Sequence, residues 1–206
     1  MSERSDFMKS LVRGFAEGAS KRLGMPFANL RKMLQAAIAQ ASSITDHQIA
    51  KALTRVHGVG EASAVCRDDR IWVEATSSDG LTVRFSMTPS GARFAPRGAK
   101  EVLFHVEPEE MASKAFVREL IGAIAALIAH TLWGPFLGRT SSPQYDAIAE
   151  REDSEVRVDL RSVPAVRSAQ QRGLGQLFDA LELGSIEVRD GSLKLHLKLP
   201  PLLAHP

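Results

Sequence analysis

The chain reads as an α+β protein in which a curved antiparallel β-sheet, a meander, wraps around a long apolar helix, with further helices N-terminal to the sheet. Three observations predict this. Apolar residues recur at three- and four-residue steps as far as Val56, the period drops to two between Ser63 and Val106, and a helical run from Phe116 to Leu132 carries apolar side chains with almost no polar face. The change of period near Gly58 divides the chain into an N-terminal helical segment, 1–57, and an α+β domain with an antiparallel sheet, 58–206.

The first helix sets Phe7, Met8, Leu11, Val12, Phe15, Ala19 and Leu23 on one stripe, with Arg4, Lys9, Arg13, Lys21 and Arg22 between them. Residues 1–57 hold nine basic and four acidic side chains, so the positive charge of the protein is concentrated there. A basic amphipathic helix of this kind can lie on an anionic membrane surface, enter a partner's groove or cover its own core. Glu3, Asp6 and Glu17 dilute the positive face and favour the last of these. Pro26 opens a second helix with Leu30, Met33, Leu34, Ala37, Ile38 and Ala41 on one side, closed at Ser42-Ser43. Thr45 and Gln48 then form the capping box of a third helix, carrying Ile49, Ala52, Leu53 and Val56 and ended by Gly58. Three helices are therefore expected before any strand.

Ile71, Val73 and Ala75 alternate with Trp72, Glu74 and Thr76, and Leu81, Val83, Phe85 and Met87 with Thr82, Arg84 and Ser86. Asp79-Gly80 between the two runs is a hairpin signal. Pro89-Ser90-Gly91 reads as a second turn before a short strand near Arg93, and Val102, Phe104 and Val106 mark the next strand after the Pro96-Arg97-Gly98 loop.

Pro108, Glu109 and Glu110 suit a helix start, with negative charge at the positive end of the helix dipole. In the helix that follows, Leu120, Ile121, Ile124, Leu127 and Ile128 are backed by Gly122, Ala125, Ala126 and Ala129, so no polar face exists from Leu120 to Ala129 and burial on every side is required. A membrane span needs ~20 apolar residues. His130, Thr131 and a break at Gly134-Pro135 shorten this run and favour a buried helix. Residues 138–153 read as a loop. Val156, Val158 and Leu160 then alternate with Arg157 and Asp159, a helical region carries Leu174, Leu177, Phe178 and Leu181, and Ile186 and Val188 lead through Asp190-Gly191 to Leu193, Leu195, Leu197 and Leu199. This last hairpin has the layout of Val65 to Val73.

The 206 residues are 44% apolar and 24% charged, as in folded chains, and a net charge of +2 supplies no basic excess for nucleic acid. Trp72, Arg84, Arg93 and Trp133 are too scattered for a base-stacking platform, so no specific nucleic-acid partner is expected. One cysteine, Cys66, excludes an intramolecular disulfide, and no secretion signal follows Met1, which together suggest the cytoplasm. No catalytic motif is present. The six histidines lack metal-site spacing, Gly58-Val59-Gly60 and Gly173-Leu174-Gly175 lack the context of a dinucleotide loop, and no nucleophile elbow accompanies His130. His130 reads as a hydrogen-bonded core or helix-end histidine, and Cys66 as a structural thiol beside Arg67. Neither cofactor, metal nor enzymatic activity is expected.

The meander Arg70 to Val106, the apolar helix Phe116 to Leu132 and the hairpin Ser185 to Leu195 together resemble the tubular lipid-binding superfamily, which contains the bactericidal/permeability-increasing proteins and bacterial phospholipid-binding relatives. Those relatives usually carry a secretion or lipoprotein signal, a departure here. The resemblance implies non-catalytic binding or transfer of a hydrophobic small molecule, an acyl lipid above all, in an elongated cavity lined by Phe85, Met87, Phe104, Leu120, Ile124, Leu127 and Phe178. Burial of a lipid chain contributes ~0.8 kcal/mol per methylene, enough for useful affinity from part of one chain. A second reading, from a different class, is a structural or interaction protein with a filled core. It would bind a protein partner, or assemble as a homo-oligomer, through residues 1–23.

Overall fold

A computed structural model of the chain describes residues 43–94, 99–108, 114–137, 149–152, 154–171 and 182–198. The two expected helices within 1–42, Glu109-Glu110 of the expected helix start and the region carrying Leu174 to Leu181 lie outside these residues, while Pro108, expected at that helix start, is instead a strand residue opposite Phe85. Within them the protein is α+β, with two antiparallel sheets and one long apolar helix.

Strand β1, Ser43–Thr45, precedes helix α1, Asp46–Leu53, so the expectation that no strand comes before the third helix is corrected. Three residues with one apolar side chain carry no readable period; Ile44 is a strand residue because it pairs with Leu193, far along the chain. The capping box at α1 is present as expected: Thr45 Oγ1 accepts from the Gln48 N–H, and the Thr45 N–H donates to Gln48 Oε1 at 2.8 Å. Ile49, Ala52 and Leu53 form its buried face, and it ends at Leu53, so Val56 and Gly58, expected on its last turn and at its end, lie in the turns that follow.

The large sheet contains β2, Val59–Arg67; β3, Arg70–Ser77; β4, Thr82–Phe94; β5, Lys100–Pro108; β6, Ala149–Glu152; and β7, Glu155–Asp159, in the order β2-β3-β4-β5-β7-β6, antiparallel throughout. Its apolar row runs through Ile71, Val73 and Ala75, then Val83, Phe85 and Met87, then Val102, Phe104 and Val106, then Val156 and Val158, all buried. The β3–β4 turn at Asp79-Gly80 is as expected, with Gly80 at φ +87°. Pro89-Ser90-Gly91 is not a turn. Strand β4 runs straight through it, and the surplus residue is absorbed as a bulge, with Pro89 opposite Phe104 and Gly91 opposite Leu103. Strand β3 pairs with β4 only as far as Met87, so beyond it one side of β4 has no ladder partner and a proline is tolerated. The expected 138–153 loop contains β6, a four-residue edge strand.

Helix α2, Lys114–Leu137, continues through Gly134-Pro135 rather than breaking there. Pro135 has no N–H to give the Thr131 carbonyl, so the helix runs on with one intrahelical bond fewer and ends two residues later. From Leu120 to Ala129 every residue is buried, against α1, β6, β7, the 3-10 turn Leu160–Ser162 and helix α3, Pro164–Ala169. The window Ala115–Trp133 is long and apolar enough to cross a membrane, and 67% of it is buried inside this protein.

Strands β8, Glu182–Arg189, and β9, Ser192–Lys198, form the expected C-terminal hairpin and join β1 in a small sheet ordered β1-β9-β8. Leu193 and Leu195 are buried while Lys194 and His196 are exposed, as the alternation requires. The two sheets share no ladder, yet Ile44, Val188, Leu193 and Leu195 belong to the same apolar cluster as α2 and the large sheet. Ile44, Ile49 and Leu53, which precede the expected boundary at Gly58, belong to this same cluster.

Candidate functional site

The six described residues expected to line a cavity come from three elements. On β4, Phe85 and Met87 lie opposite Val73 and Ile71 of β3; on β5, Phe104 lies between Pro89 and Val156. Leu120, Ile124 and Leu127 stand at positions i, i+4 and i+7 of α2, along one stripe. All six belong to one apolar cluster. Phe178 lies outside the described residues. Phe85, Met87, Phe104, Leu120 and Ile124 are 0–1% exposed, and Leu127 is 9% exposed. These five side chains therefore have almost no surface open to solvent.

Among the described residues, one charged group enters this core. Lys100 is fully buried at the last rung of the β4–β5 ladder, opposite Phe94, with Nζ 5.5 Å from the Phe94 ring centroid. The Phe94 ring is in turn 6.2 Å from that of the buried Trp133 on α2. Lys100 also has an interaction beyond the ring, as a buried ammonium requires. Reading motifs alone passes over this lysine, but the period of two does not. One step back along the row Val106, Phe104, Val102 reaches position 100.

A second constellation lies where the two sheets meet. The Asp46 N–H donates to Gly191 O at 3.2 Å, the Gly191 N–H donates to Cys66 O at 2.9 Å, and the Cys66 N–H donates to Asp46 Oδ1 at 3.0 Å. This ring of hydrogen bonds joins the start of α1, the end of β2 and the tip of the C-terminal hairpin. The hairpins whose sequences echo each other therefore touch at their tips. Burial, with the Asp46 carboxylate beside it, pushes the Cys66 thiol well above its ordinary pKa, against the lowering that Arg67 would suggest. Cys66 is thus a buried thiol that holds its proton.

The opposite face of the large sheet is polar. Arg84 holds Glu74 through Nε at 2.9 Å and keeps its carboxyl below the usual range, and Arg70 pairs with Glu107. Trp72 stands on this face with the Arg67 guanidinium 5.4 Å from its ring, so Trp72 and Trp133 are on opposite sides of the sheet and build no common platform. On the small sheet Glu187 meets Arg189 at 2.8 Å and His196 at 3.4 Å, and Arg189 holds the Glu187 carboxyl below its usual range. These are solvated pairs, each contributing little to stability. Among the described residues, no three His, Cys, Asp or Glu side chains are grouped to hold a metal ion. Comparison with family models, with curated proteins and with solved structures finds no match to this chain.

Proposed function

We propose that this protein acts by binding, without chemistry of its own, and that its α+β body is a filled scaffold for an interaction made through the basic amphipathic segment 1–23. The partner is a protein or a second copy of the chain. The observation that supports this reading is the near-zero exposure of Phe85, Met87, Phe104, Leu120 and Ile124, as expected of a core packed with the chain's own side chains. Its test is removal of residues 1–23. A truncated protein that keeps its thermal transition but loses its oligomer or partner in light-scattering measurements supports the reading; unchanged mass and unchanged partner binding reject it.

A second reading is favoured by α2. In this reading the large sheet curves around the helix and an acyl lipid lies along it, in the manner of the tubular lipid-binding proteins that the sequence resembles. The residual exposure of Leu127 and the unbroken apolar surface from Leu120 to Ala129 support it. Native mass spectrometry of protein purified without detergent separates the two. A lipid-sized adduct released by organic solvent establishes the carrier, and a bare polypeptide mass leaves the filled core.

A further inference from the structure

We draw no further inference here: the strongest candidate, the fully buried Lys100 beside Phe94 and Trp133 at the last rung of the β4–β5 ladder, already has a partner of its own in the chain and so points to no ligand.

Discussion

Cys66 shows how one side chain can be legible in identity and opaque in behaviour. Arg67 beside the cysteine would lower its pKa, yet its state is decided by burial and by Asp46, twenty positions away. The consequence is a dependence of stability on alkaline pH. An unfolded cysteine titrates near ~8.5, whereas the folded thiol holds its proton to higher pH. Below ~8.5 both states are protonated and the group has no effect; above it the unfolded chain releases the proton first, so stability falls as pH rises, by up to ~1.4 kcal/mol per unit. Urea unfolding between pH 8 and 10.5 should show this slope in the wild type and lose it in Cys66→Ala; equal slopes in the two proteins would refute it. A second residue-scale prediction concerns the β2–β3 hairpin, where Asp68 and Asp69 both have positive φ, 52° and 58°. Glycine adopts this conformation without the steric cost of a Cβ. Asp69→Gly should therefore raise stability by about 0.5–1 kcal/mol, read as a higher urea midpoint at unchanged slope.

At the scale of elements, what was legible had a period long enough to count. The alternation in β3, the first half of β4 and β9, the capping box of α1 and the seamless apolar run of α2 each carry their own local signal. Strands β1 and β6 do not, because three or four residues become a strand only when β9 and β7 supply ladder partners. The Pro-Ser-Gly in β4 misleads for a related reason. Its composition is that of a turn, and only β5, continuing opposite it, makes it a bulge. Helix α2 supplies the test at this scale. Ile124 is 0% exposed, and if the core is filled by the chain's own side chains, Ile124→Phe should overpack it and cost about 1–3 kcal/mol. In a protein that holds a lipid beside α2, the larger ring would instead occupy ligand volume and leave the urea midpoint of the delipidated protein nearly unchanged. One denaturation series thus separates the filled core from the cavity.

For the whole molecule, the α+β class was readable while the division into two sheets was not, since local periodicity does not say which strands share a ladder. The six described candidates, all but Phe178, share one apolar cluster, because alternation in β4 and β5 and helical spacing in α2 direct them to one side. Whether that interior holds room depends on how side chains from distant elements meet, which no local pattern encodes. The same long-range packing makes the C-terminal hairpin indispensable. Leu183, Val188, Leu193 and Leu195 are each at most 4% exposed, and all four share their cluster with Ile44 and α2. At roughly 1.5–3 kcal/mol for each buried aliphatic side chain, these four contribute about 6–12 kcal/mol, comparable with the ~5–15 kcal/mol that separates a native domain from its unfolded chain. Hairpin removal also breaks the Gly191 link to Cys66 and the ladder that orders β1. A chain ending at residue 181 should therefore lose its cooperative thermal transition and bind a hydrophobic dye such as ANS through the exposed inner faces of α2 and the large sheet. If that truncated chain instead melted cooperatively with buried Trp133 fluorescence, the large sheet and α2 would form a self-sufficient core, and the small sheet would be an appendage rather than half of the fold.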